Sequence, residues 1–233
     1  MSAADRLCVA LDFSTRAEVL GAARRVGGKA GWLKVGLEAF VSEGPTLVRE
    51  VAATGSKVFL DLKLHDIPNT VEKAAAAAAR SGASMINVHA LGGRAMLEAA
   101  RRGAPASSGV RLIAVTLLTS LDAASLADLP IAGHPEGIVR RLARLAEDCG
   151  LDGVVCSAHD LTAIRGVCGH SFLTVVPGIR PSGADAGDQK RIATPGAAIA
   201  AGADILVVGR PITAASDPAA ALATLLAEIQ SAA

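Results

Sequence analysis

At 233 residues, 51% hydrophobic and 19% charged, the chain can bury a large core, which excludes an intrinsically disordered protein. A formal net charge of +1, no tyrosine and only 2% aromatic residues argue against a phosphate-tracking surface or a base-stacking platform, so no nucleic-acid partner is expected. The mean hydropathy of +0.42 is spread over short runs, none near the roughly 18 uninterrupted apolar residues of a membrane-spanning helix, so no membrane is expected either.

The opening MSAADRLCVALD shows no basic segment followed by an apolar signal core, and the expected location is the cytoplasm. Its apolar run RLCVALDF (6–13) predicts a first strand, and TRAEVLGAARRV (15–26) a first helix. GWLKVGL (31–37) and PTLVREVAATG (45–55) repeat the strand-helix order, as do SKVFLDLKL (56–64) and NTVEKAAAAAARSG (69–82). The alanine tract 74–79 belongs to the helix, because alanine is the best helix former. SMINVHA (84–90) precedes GGRAMLEAARRG (92–103), and VRLIAVTLL (110–118) precedes GIVRRLARLAEDCG (137–150). DGVVCSA (152–158), FLTVVPGI (172–179) and DILVVGRPI (204–212) complete eight strands, followed by a last helix at DPAAALATLLAEIQ (217–230).

The strand runs are continuous and β-branched rather than alternating, which suits strands buried on both faces of a parallel sheet. Several helices close on glycine, where a C-cap is expected. No linker or composition shift divides the series, so a single (β/α)8 TIM barrel domain over residues 1–233 is expected. The rival, an open doubly wound sheet, usually carries a glycine fingerprint after its first strand, and ALDFSTR has none.

In such a barrel the active site forms at the C-terminal ends of the strands. Polar residues fall there: Asp12 after the first strand, Lys34 in the second, Asp61 and Lys63 in the third, Asn87 and His89 in the fourth, Thr116 and Thr119 in or after the fifth. Arg180 follows the seventh, and Gly209 with Arg210 closes the eighth. Asp61 and Lys63, two apart, point to one side of their strand while Leu60 and Leu62 face the other. A catalytic cluster and a structural ion pair are both open readings of that arrangement.

Gly209 lets a ligand approach the backbone, and Arg210 offers the fork of donors that a phosphate accepts. The long polar segment PGIRPSGADAGDQKRIATP (177–195) reads as a lid over that phosphate. No metal is expected, since His65 and Asp66 beside Asp61 match no ligand spacing. Cys8, Cys149, Cys156 and Cys168 show no paired spacing and read as buried thiols; a nucleophile elbow is missing around Cys156.

The motifs VALDF, LKVGLEAF, DLKLHDIPNT, NVHALGG, AVTLLTS, GLDGVVCSA, VPGIRPSGADAGDQKRIATP and VVGRPI closely resemble the bacterial type of orotidine 5′-phosphate decarboxylases, from Val9 to the final helix. The resemblance implies a homodimeric barrel enzyme that makes uridine monophosphate from orotidine monophosphate without metal or organic cofactor. It implies that Asp12 and Lys34 hold the ribose hydroxyls, that Asp61 and Lys63 flank the scissile carboxylate, and that Lys63 donates the proton. It further implies that Asp66, Ile67 and Thr70 reach the other subunit's site and that Thr119 or Ser120 contacts the pyrimidine. Arg180, Gln189, Gly209 and Arg210 would hold the phosphate and close the lid, taken as Pro181 to Lys190. Two rivals remain: a magnesium-dependent sugar-phosphate enzyme of the same superfamily, and a non-catalytic nucleotide-binding barrel.

Overall fold

The computed structural model describes residues 1–121, 123–128, 131–181 and 193–232. Its strands are β1 Leu7–Ala10, β2 Trp32–Val35, β3 Lys57–Leu64, β4 Met85–His89, β5 Arg111–Val115, β6 Gly153–Val155, β7 Leu173–Val176 and β8 Ile205–Val208. All pair in parallel and in sequence order, with β8 returning to β1, so the expected eight-stranded barrel closes.

Strand alternation divides the apolar residues into two layers. Cys8, Ala10, Trp32, Phe59, Met85 and Val207 belong to a cluster that fills the barrel. Leu7, Val9, Leu33, Leu60, Ile86 and Val88, their neighbours in sequence, pack outward with helix residues such as Val19, Val48 and Leu97. Trp32 plugs the base, with its indole N–H donating to the Asp5 carbonyl at 3.1 Å. The lower barrel is thus a packed core, and any ligand must enter at the other end. All four cysteines are buried, as expected of small hydrophobes, and no disulfide joins them.

The six predicted helices form at Arg16–Val26, Pro45–Ala52, Pro68–Ala79, Gly93–Gly103, Pro135–Asp148 and Pro218–Ala232. Four of them begin on proline, whose fixed φ and missing N–H suit the first helical position. Short helices at Leu37–Glu43, Ala123–Ala127, Leu161–Arg165, Pro195–Ala200 and Arg210–Thr213 were not legible as periodic patterns. Several apolar runs also stop being strand earlier than their composition suggests. β2 ends at Val35 and β8 at Val208, because Gly36 and Gly209 turn the chain into helices. Ile212, inside the second of these, is fully buried in the outer layer, so hydrophobicity continues across the strand end without marking it. Among the described residues no helix is long and apolar enough to cross a membrane.

Candidate active site

Continuing the inward phase of the first four strands by two residues exchanges the apolar core for polar groups. Ala10 leads to Asp12, Trp32 to Lys34, Phe59 to Asp61 and Met85 to Asn87. These side chains meet at the mouth. The Lys34 ammonium donates to Asp12 Oδ1 at 2.7 Å and lies 3.5 Å from Asp61 Oδ2. The Lys63 ammonium donates to Asp61 Oδ1 at 2.6 Å. The result is a row of alternating sign, Asp12, Lys34, Asp61, Lys63.

The middle of this row is dry, with Lys34 9% and Asp61 8% exposed. At an effective dielectric near 20, each contact of Asp61 with a lysine is worth roughly 5 to 6 kcal/mol, comparable to the several kcal/mol that desolvation costs each ion. Burial alone would raise the Asp61 pKa, but Lys34, Lys63 and the hydrogen bonds from Lys63 and Asn87 outweigh it and hold the carboxyl below its usual value. Burial likewise works against the charged form of Lys34, and Asp61 and Asp12 overcome it, raising the ammonium above its ordinary pKa. Both groups are therefore ionised at neutral pH.

Lys63 reaches its place through an irregularity. Leu60 pairs with Ile86 and Leu64 with Val88, so three residues of β3 lie opposite Asn87 alone. Within this bulge Lys63 takes φ +52°, and no other non-glycine residue among those described has positive φ. Across the bulge Asp61 and Lys63 both face the mouth while Leu60, Leu62 and Leu64 stay with the outer layer.

A cleft of about 420 Å³ opens over the row and is lined by Asp12, Lys34, Asp61, Lys63, Thr119, Arg180, Gly209 and Arg210. Phe59, Val155, Val207 and Thr213 also line it and were not singled out by sequence; Val155 and Val207 follow the inward two-residue phase that could have found them. Arg180 is buried in the wall, with its guanidinium donating to the Ile179 carbonyl at 3.0 Å. A Cβ added at Gly209 would make only ordinary contacts, 3.6 Å from Ala10 Cβ and 4.0 Å from Asp12 Oδ2. Packing within the chain therefore does not require glycine there, and the open backbone faces the cleft.

The remaining expected residues lie elsewhere. Ser120 is exposed and does not line the cleft, whereas Thr119 does. Asp66, Ile67 and Thr70 are exposed where β3 passes into the helix Pro68–Ala79, with Asp66 Oδ1 accepting the Ile67 N–H at 2.6 Å. Gln189, and the expected lid from residue 182 to Lys190, lie outside the described residues. Among the described residues no three His, Cys, Asp or Glu side chains converge to hold a metal ion.

A family model described as "Orotidine 5′-phosphate decarboxylase / HUMPS family" matches residues 5–225. A protein of Anaeromyxobacter sp. (strain K) named orotidine 5′-phosphate decarboxylase is 56% identical over 97% of this chain and 99% of its own length. One of the same name from Halorhodospira halophila is 57% identical over 97% of each. Among solved structures, the orotidine 5′-phosphate decarboxylase of Lactobacillus acidophilus is 36% identical, with a TM-score of 0.85 over 97% of this chain and 99% of that one. The corresponding structure from Pyrococcus horikoshii OT3 is 25% identical, with a TM-score of 0.78 over 96% and 99%.

Proposed function

The chain belongs to the orotidine 5′-phosphate decarboxylase / HUMPS family, and from that membership we propose that it converts orotidine 5′-monophosphate to uridine 5′-monophosphate in de novo pyrimidine synthesis. The observation that carries this reading is the cleft itself, with the row Asp12, Lys34, Asp61, Lys63 on one side and Arg180, Gly209 and Arg210 on the other. Such a site suits an anionic substrate whose charge moves during reaction.

Losing carbon dioxide from carbon 6 of the pyrimidine breaks one carbon–carbon bond and leaves its electron pair on that carbon. No adjacent carbonyl delocalises it, so the protein must stabilise it with charge already in place. In this reading the Lys63 ammonium lies beside carbon 6, attracts the growing charge and gives up its proton to complete uridine monophosphate. Solvent then reprotonates Lys63. Asp61 faces the carboxylate that departs as neutral gas and keeps the Lys63 ammonium aimed. Asp12 and Lys34 hold the ribose hydroxyls, and Thr119 or Ser120 meets the pyrimidine edge. Arg210, Arg180, Gln189 and the Gly209 backbone bind the phosphate, whose contact energy drives closure of the lid. The protein supplies every charge in this scheme, without a cofactor.

The reading includes a cytoplasmic homodimer with Asp66, Ile67 and Thr70 of each chain completing the other's site. Its support is the placement of exposed apolar residues: Val41, Ile67, Leu91 and Leu118 follow the C-terminal ends of β2, β3, β4 and β5, four neighbouring strands. Ile67 is 65% exposed in the isolated chain, the kind of surface a partner covers.

The test is the loss of orotidine monophosphate absorbance on adding purified protein with EDTA present. Decarboxylation unaffected by EDTA is expected. A magnesium-dependent sugar-phosphate enzyme would lose its own activity in EDTA, and a non-catalytic barrel would bind uridine monophosphate while leaving orotidine monophosphate intact.

A further inference from the structure

We infer that Asn87 is a positioning residue of this reaction, its side-chain amide fixing the Asp61 carboxylate and the Lys63 main chain at once. The inference rests on the function proposed above. Asn87 is 1% exposed and does not line the cleft, so it acts only through its neighbours. Its Oδ1 accepts the Lys63 main-chain N–H at 2.8 Å, and its Nδ2 donates to Asp61 Oδ1 at 2.7 Å. Because a backbone N–H can only donate and an ionised carboxylate can only accept, the amide has one orientation that satisfies both.

The bulge explains why a side chain is needed here. Three residues of β3 face the single residue Asn87, so regular ladder bonds lapse between Leu60 and Leu64. Asn87 replaces the missing main-chain partner. Lys63 is held there at φ +52°, a conformation that persists for a non-glycine residue only when its surroundings over-determine it. The oxygen receiving the Asn87 amide, Asp61 Oδ1, also receives the Lys63 ammonium. One amide therefore ties the root of the lysine to the acceptor of its tip.

Leucine has the shape of asparagine and neither hydrogen bond. Aspartate keeps the acceptor for Lys63 N–H but sets a second carboxylate against Asp61. In N87L, kcat should fall about 10- to 100-fold, the range for losing a hydrogen bond to a charged group, while uridine monophosphate affinity stays within about threefold. In N87D a single proton shared between the two carboxyls restores a donor and an acceptor, so kcat should rise as pH falls, relative to N87L. The charged groups facing position 87 are Asp61 and Lys63 of β3, with Lys34 of β2 beyond Asp61 and His89 further along β4; β5 presents Ile113 opposite it. All of these are common to both variants, so the ratio isolates position 87. Exchange of the Lys63 amide proton, fast in N87L and slow in wild type and N87D, reads the clamp without turnover.

Wild-type kcat in a folded N87L overturns the inference. So does a loss of product affinity as large as the loss of kcat, which would mark a merely structural role, or an N87D profile parallel to that of N87L. Should N87L not fold, N87D is read against wild type: a kcat that does not rise relative to wild type as pH falls, or a Lys63 amide that exchanges fast, overturns the inference. If wild type left orotidine monophosphate intact, the proposed reaction would fail, and unchanged Lys63 exchange in N87L would separately overturn the clamp.

Discussion

Lys63→Ala removes the group on which the proposed chemistry depends, and Coulomb attraction at contact range sets the size of the effect. The ammonium is held 2.6 Å from Asp61 Oδ1, so its position is fixed before substrate arrives. In the proposed binding mode carbon 6 meets that ammonium, and a unit charge formed about 4 Å from it would be stabilised by roughly 4 kcal/mol at an effective dielectric near 20. That corresponds to about a thousandfold in rate, and the same substitution also deletes the proton donor. The fold should survive, because Asp61 keeps Lys34 at 3.5 Å and the Asn87 amide at 2.7 Å. Uridine monophosphate carries neither the carboxylate nor the carbanion, so its affinity should change little. The assay pairs absorbance loss of orotidine monophosphate with calorimetric binding of uridine monophosphate. A kcat above about a tenth of wild type would refute the assignment, since a proton donor accounts for at least ~100-fold.

Arg210→Ala should weaken substrate and product binding alike while sparing a truncated nucleoside that lacks phosphate; equal slowing of both substrates would move Arg210 to the reacting centre. The depressed Asp61 pKa contributes stability that is present above the unfolded carboxyl value, about 3.9, and lost as pH falls through the lower folded value. Urea midpoints of wild type and Asp61→Asn should therefore converge as pH falls below about 4, and a constant gap would show that Asp61 does not titrate with unfolding. Lys63→Ala and Asp66→Asn homodimers should each be nearly inactive. Co-refolded in equal amounts, they should recover roughly a quarter of wild-type activity, because half the dimers then carry one intact pocket. No recovery, with mixed dimers verified by mass, would return Asp66 to its own subunit.

The barrel was legible because strands buried on both faces read as unbroken apolar runs, and the helices long enough to show a period were found with them. The charged row was legible for a related reason. Lys34, Asp61 and Asp12 continue the inward phase of their strands, so a two-residue count from Trp32, Phe59 and Ala10 reaches them. That count fails once the chain leaves the ladder. β5 ends at Val115, four residues before Thr119, so nothing local distinguished Thr119 from Ser120. The left-handed turn at Lys63 follows from register against β4 and is not encoded in DLKL alone. For the same reason Asn87 read as one more polar residue at a strand end. The role proposed for Asp66, Ile67 and Thr70 depends on a second chain, which one sequence does not position.

Stability alone does not explain the barrel mouth. Replacing a buried ion network with apolar residues of similar volume is often neutral or stabilising, so Lys34 and Asp61 are weak contributors to folding for the desolvation they require. Two further local features accommodate the same row. A Cβ on Gly36 would lie 3.1 Å from both Asp12 Oδ1 and Lys34 Nζ, so glycine at the start of the next helix leaves the pair its room. The Lys63 backbone is left-handed, a conformation that costs of order 1–3 kcal/mol for a non-glycine residue. Buried charge and a strained lysine each work against local preference, and both meet, beside the glycine that leaves them room, within one charged row. Local rules broken together at one place are expected where chemistry, rather than packing, selects the residues. An ordinary structural ion pair would have no need of the lysine's bulge, since a regular strand could present a cation to Asp61. What the bulge adds is a fixed direction for the Lys63 ammonium, at the edge of the cleft where a substrate carbon can meet it.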